Sequence, residues 1–129
     1  MNNKELIKYA LEAREKSYSP YSNFKVGACI LTKSGKIYTG CNIESASYTP
    51  TICAERTALA KCVSDGYTDI EKIAVVGSFD NITYPCGVCR QFLAEFGTDI
   101  TVICAKNENE YKEYKLRELL PNSFGPEDL

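Results

Sequence analysis

Three cysteines and one glutamate stand where they could activate water. Cys86 and Cys89 lie at C-x-x-C spacing within Pro85-Cys86-Gly87-Val88-Cys89, so one turn of chain can present two thiolates to one ion. Cys53 lies 33 residues upstream, in Cys53-Ala54-Glu55-Arg56, too far for a small hairpin knuckle. If Cys53 and Cys86 each open a helix, a fold that brings the two helix starts together gathers three sulfurs. Three thiolates leave the fourth position of a tetrahedral zinc open, the pattern of a catalytic site rather than a closed structural one. Zinc held in this way can lower the pKa of its water to ~7. Glu55, two residues past the lone cysteine, is placed to carry protons. The charge of three thiolates works against that acidification. Backbone N–H groups and the positive dipole end at helix starts offset part of it. Arg56 can offset more by donating a hydrogen bond to a sulfur.

Composition narrows the alternatives. The chain has no histidine, which removes Ser-His-Asp and Cys-His catalysis and leaves a metal site to thiolates and carboxylates. Its seven cysteines are an odd number, and no export signal follows Met1-Asn2-Asn3-Lys4-Glu5, so metal-type thiols fit better than a disulfide framework. Cys29 and Cys104 sit in apolar runs and read as small buried hydrophobes. Cys41 and Cys62 read as packing residues too. A net charge of −2 argues against a broad basic face for a nucleic acid polymer. No apolar run approaches the ~20 residues that span a bilayer. The expectation is a cytoplasmic protein. At 129 residues, with 44% hydrophobic and 25% charged, one domain over residues 1–129 is expected.

The elements that must position these residues can be read in order. Leu6, Ile7, Ala10 and Leu11 recur at helical spacing, predicting a helix over 4–16 capped by Asn3. Ser17 to Lys25 reads as a loop, with Phe24 at its end. Runs at 26–32 and 37–43 are β-prone and joined by Lys33-Ser34-Gly35-Lys36, a hairpin. Asn42 and Glu44 fall where strand meets loop, an amide and a carboxylate suited to a pair of sugar hydroxyls. A second helix is predicted over 52–64, with Gly66 at its C-terminal cap. Residues 70–77 form a strand whose Ile73-Ala74-Val75-Val76 run is apolar on both faces, as in a buried parallel strand. A third helix is predicted over 86–97, a buried strand over 100–104, an edge strand over 111–116 and a helical turn over 117–120, stopped by Pro121. This order implies an α/β fold, a three-layer α/β/α sandwich around a mixed five-stranded sheet.

Zinc nucleobase deaminases carry an H-x-E…P-C-x-x-C signature in which Cys can replace the His. Cys53-Ala54-Glu55 and Pro85-Cys86-Gly87-Val88-Cys89 match it. Phe24-Lys25-Val26-Gly27-Ala28, Gly40-Cys41-Asn42-Ile43-Glu44, Cys53 to Ala58, Pro85 to Gln91 and Leu119-Leu120-Pro121 together resemble the small homotetrameric cytidine deaminases, nearly end to end. The resemblance implies one zinc per chain on Cys53, Cys86 and Cys89, with Glu55 as the proton carrier and Arg56 neutralising thiolate charge. It implies substrate contacts from Phe24, Asn42, Glu44 and Ala54. It also implies that Tyr48 and Phe124 reach a neighbouring chain's pocket in a homotetramer. The expected reaction is hydrolytic deamination of cytidine and deoxycytidine in pyrimidine salvage.

Three other readings compete. A purely structural zinc module would favour a fourth thiolate at signature position. Blasticidin-type deaminases share both cysteine motifs, but Asn42-x-Glu44 resembles the ribose-binding pair of cytidine deaminases. A polynucleotide editor is disfavoured by the acidity and small size. Ser45 departs from the residue common in the family, and touches no expected ligand.

Overall fold

The computed structural model describes all 129 residues. Helix α1 spans Asn3–Arg14, followed by strands β1 (Gly27–Thr32) and β2 (Ile37–Cys41). Helix α2 (Ala54–Ser64), strand β3 (Ile70–Val76), helix α3 (Gly87–Ala94) and strand β4 (Thr101–Ala105) follow, then β5 (Tyr111–Lys115) and α4 (Leu116–Leu119). A 3₁₀ turn at Pro126–Asp128, which the sequence reading did not include, closes the chain.

The five strands form one sheet in the order β2-β1-β3-β4-β5. Only β3 and β4 pair in parallel, with Ile73 opposite Val102 and Val75 opposite Cys104. The β1–β2, β1–β3 and β4–β5 pairs are antiparallel, so the sheet is mixed. Alternation along the strands builds two cores. Ile30, Ile73, Val75, Val102 and Cys104 face one side, where Ala58 and Leu59 of α2 and Leu93 of α3 cover them. Cys29, Ala74, Val76 and Ile103 face the other, covered by Leu6, Ile7 and Ala10 of α1. The Ile73–Val76 run is thus buried on both faces, and three layers result. Full burial of each Leu or Ile on these faces contributes ~1.5–3 kcal/mol.

Two glycines set how closely the helices approach. A Cβ at Gly27 would lie 1.9 Å from the carbonyl oxygen of Ala10 in α1. One at Gly40 would lie 2.5 Å from the Ala54 carbonyl oxygen and from the Ala58 nitrogen in α2. Only a missing side chain lets β2 lie against the first turn of α2, the turn that carries Glu55.

Several boundaries differ from the sequence reading. Asn2, not Asn3, caps α1. Its side chain accepts from the Glu5 amide at 2.9 Å while Glu5 accepts from the Asn2 amide at 3.3 Å, a reciprocal box that requires Glu three residues after the cap. Asn3 instead binds Glu113 and Lys72. Ile52, expected to open the second helix, forms a two-way backbone bridge with Ile43, which lies beyond the end of β2. That bridge closes the loop 44–51 on itself and leaves Cys53 as the cap of α2. Gly66 lies one residue past the C-cap Asp65, with φ +95, a conformation suited to glycine. α3 ends at Ala94 rather than Gly97. Its last carbonyls are taken by the amides of Glu95, Phe96 and Gly97 in tightening turns.

Candidate active site

Both signature stretches fall at helix starts, on the side of the sheet covered by α2 and α3. Cys53 is the N-cap of α2 and Cys86 the N-cap of α3, each in an extended conformation; the Cys86 sulfur accepts from a free N–H of its helix, whereas the Cys53 side chain makes no capping hydrogen bond. Cys89 lies in the first turn of α3, and its amide donates to the Cys86 sulfur at 3.5 Å. Pro85 is buried and needs no hydrogen bond to its nitrogen where the chain enters α3.

The three Sγ atoms lie within 4.8 Å of one another. Cys53 Sγ is 3.8 Å from Cys86 Sγ, and Cys86 Sγ is 3.5 Å from Cys89 Sγ. Tetrahedral zinc with Zn–S bonds of ~2.3 Å holds its sulfurs ~3.8 Å apart, so the donor set fits that ion in type and spacing. Arg56 Nη2 donates to Cys53 Sγ at 3.5 Å. Its buried Nε has no hydrogen-bond partner in the chain. The hydrogen bond from the Cys89 thiol and the Arg56 guanidinium lower the Cys53 thiol to about 5. The neighbouring Cys53 and burial hold the Cys89 thiol well above the usual range. A cation bound here would hold the three sulfurs as thiolates.

Glu55 is 4% exposed. Burial pushes its carboxyl up from 4.5 to about 7, with the negative charge of Cys53 adding to the rise. A carboxyl poised near neutrality can both take and give a proton. Glu55, Ala54, Cys53 and Cys86 line a cavity of about 260 Å³, walled by Phe24 and Tyr84.

Asn42 and Glu44 also reach this cavity, and both are already held by the chain. The Asn42 Oδ1 accepts from the Val26 amide at 3.0 Å and from the Ser17 hydroxyl, while Nδ2 donates to the Phe24 carbonyl at 2.7 Å. Asn42 therefore clamps the backbone on both sides of Lys25 and sets where Phe24 stands. It keeps one N–H free. The Glu44 carboxylate accepts from the amides of Tyr21 and Ser22 at 3.0 and 3.1 Å and from the Ser22 hydroxyl. The Ser22 hydroxyl bond holds that carboxyl below its ordinary value.

Tyr48 and Phe124 do not line this cavity. Tyr48 is 75% exposed, on a turn with φ +63, and Phe124 is 57% exposed, with its carbonyl accepting from the Gln91 side chain. Conversely, the sequence reading did not single out Ser22, Thr83 or Tyr84, which do line it. For Tyr84 a signal was available, because it directly precedes Pro85-Cys86. Cys29, Cys62 and Cys104 are fully buried, and Cys41 is half-buried with its thiol directed at the Lys16 carbonyl.

Three sulfurs spaced for one zinc ion beside a buried carboxyl are the make-up of a zinc-hydrolase site. Residues 1–105 match the family described as "Cytidine and deoxycytidylate deaminase zinc-binding region". A cytidine deaminase of Halalkalibacterium halodurans is 46% identical over 130 residues, covering 100% of this chain and 98% of that protein. A probable cytidine deaminase of Dictyostelium discoideum is 45% identical over 133 residues, covering 100% of this chain and 90% of that protein. The crystal structure of a cytidine deaminase from Burkholderia pseudomallei superposes with a TM-score of 0.91 at 44% identity, covering 96% of this chain and 100% of that one. The chain belongs to the zinc-binding cytidine and deoxycytidylate deaminase family, and the fold expected from its sequence is the one this family has.

Proposed function

We propose that the protein hydrolyses the C4 amine of cytidine and deoxycytidine, giving uridine or deoxyuridine and ammonia. The observation that carries this reading is the buried Glu55 carboxyl beside the three-sulfur cluster, lining with Cys53 and Cys86 a cavity of about 260 Å³. Bound on Cys53, Cys86 and Cys89, zinc supplies the Lewis acidity that makes water a competent nucleophile at neutral pH. Glu55 takes a proton from the attacking water and delivers it to ring N3 as oxygen bonds to C4. It then passes the remaining hydroxyl proton to the amine, the C4–N bond breaks, and ammonia leaves. One carboxyl serves as base and then acid because the steps are sequential. Arg56 balances charge at Cys53, Phe24 walls the ring, and the backbone at Ala54 borders it. Asn42 and Glu44 meet the sugar, so that remote binding positions C4.

We further propose that residues 1–129 act as one domain and that chains assemble as homotetramers with shared sites. Two exposed aromatics support this. Tyr48 sits in a left-handed conformation that costs a bulky residue energy, and Phe124 stands on a tail outside its own chain's cavity. Each would close a neighbour's pocket. No helix is long and apolar enough to cross a membrane. Free thiols at all seven cysteines suit the cytoplasm, where the reaction would serve pyrimidine salvage.

The test is the ultraviolet absorbance change on cytidine, with and without a strong chelator. Conversion that stops on chelation and returns with zinc supports the reading, and so does a much lower efficiency on the bare base cytosine. Zinc-replete protein inert on both nucleosides refutes it.

A further inference from the structure

Beside Cys86 the cavity has a wall that the proposed mechanism leaves without a role. Tyr84 lines the cavity together with Thr83, Glu55 and Cys86. It is followed by Pro85, which restricts its backbone to extended conformations, and by Cys86, which caps α3. Its main chain is therefore fixed two residues from a metal ligand. The ring is held as well. Tyr84 Oη lies 3.3 Å from Tyr114 Oη, and the two rings stand 5.9 Å apart, tilted by 55°. Tyr114 belongs to β5 and packs, half-buried, against the core under α2 and α3. Tyr84 is 42% exposed, so what limits the swing of its ring is this contact with Tyr114.

In the proposed reaction C4 of the substrate lies against Cys53, Cys86 and Glu55, and these line the same cavity as Tyr84. Tyr84 precedes Cys86 by two residues across the buried Pro85, which sets it at the cysteine end of that cavity. The atoms flanking C4 are C5 and the exocyclic nitrogen. We infer that Tyr84, tethered by Tyr114, is a specificity-determining residue that limits substituents on these two flanking atoms. The inference rests on the proposed reaction and deepens it: the substrate class is cytidines unsubstituted at the reacting end.

One methyl group against a fixed wall changes discrimination by ~10–200-fold. The experiment compares kcat/KM for cytidine, 5-methylcytidine and N4-methylcytidine in the wild type, Tyr84→Ala, Tyr84→Phe, Tyr114→Phe and the double Phe variant. The wild type should disfavour at least one methylated nucleoside by ~10-fold or more. Tyr84→Ala should raise the methylated-to-unsubstituted ratio for that nucleoside by a similar factor. Which nucleoside responds tells which flank the ring covers. Tyr84→Phe and Tyr114→Phe each remove the same hydrogen bond, so each should raise the ratio by a smaller and equal amount, with no further rise in the double variant. General damage to the fold lowers all three activities together and leaves the ratios alone. A Tyr84→Ala ratio within ~2-fold of wild type for both methylated nucleosides, far below the ~10-fold expected, overturns the inference. If Tyr84→Ala does not fold, unchanged ratios in the Phe variants overturn it. Failure of the wild type to deaminate cytidine itself refutes the reaction instead.

Discussion

Replacing Glu55 by Gln separates proton transfer from shape. Gln fills nearly the same volume and keeps an acceptor oxygen, but it has no carboxyl proton to exchange. Losing one general acid–base group typically costs ~10²–10⁴-fold. Glu55 is assigned more than one transfer, so kcat should fall by at least ~10³-fold, about 4 kcal/mol of transition-state stabilisation. Burial gives a second readout, in zinc-free, reduced protein. The carboxyl is 4% exposed and its pKa rises from 4.5 to about 7 on folding. The folded state then holds this proton more tightly than the unfolded chain. Its stabilising contribution is complete below 4.5 and is lost as pH rises through about 7. At 1.36 kcal/mol per unit the loss is at most about 3 kcal/mol. Gln does not titrate, so the zinc-free variant should exceed the wild type in stability by up to that amount at pH 8 and by little at pH 4.5. Initial rates on cytidine, zinc per chain and urea unfolding at the two pH values measure all three quantities. Near-normal turnover by zinc-loaded Glu55→Gln refutes the proton role. A stability difference that does not change with pH refutes the burial argument.

Arg56→Ala removes the guanidinium 3.5 Å from the Cys53 sulfur. Activity should fall most at low pH and recover partly as pH rises; a flat loss across the pH–rate profile with zinc retained contradicts the charge-balancing role. Burial pushes the Cys29 and Cys104 thiols up to about 12. Neither should be alkylated by iodoacetamide at pH 8 in the folded chain, whereas labelling as fast as in denaturant, read by mass spectrometry, contradicts that burial. Glu55→Gln and Phe124→Ala chains should each be weakly active and should complement when refolded together. Activity merely equal to the sum of the two, in mixed tetramers verified by native mass, rules out shared pockets.

Much of the site was legible because its chemistry lies in residue type and local spacing. C-x-x-C and Cys-x-Glu are short-range statements about a helix's first turn, and a chain without histidine leaves a zinc site to thiolates and carboxylates. The apolar run Ile73–Val76 likewise announced a strand buried on both faces, since no one-sided packing tolerates four consecutive apolar residues. Boundaries were less legible where a distant contact overrode local propensity. Ile52 continues a helical pattern, yet its bridge to Ile43 holds it extended and leaves the cap to Cys53. Asn3 is as good a cap by type as Asn2, and only the Glu5 box and the contacts to Glu113 and Lys72 decide between them.

The sequence by itself determined the cysteines that could hold a metal, the carboxyl proposed as the acid–base group and the layered α/β architecture. Each of these follows from side-chain chemistry and hydrophobic period along a contiguous stretch. Only the tertiary structure decided that Cys53 meets Cys86 at 3.8 Å, that Glu55 is buried enough to titrate near neutrality, and that Asn42 clamps the chain around Phe24. It also decided that Tyr84 is tied to Tyr114 across the fold. These depend on sheet order and on how closely helices approach it at Gly27 and Gly40, and spacing along a chain does not encode the separation of two strands brought together by folding.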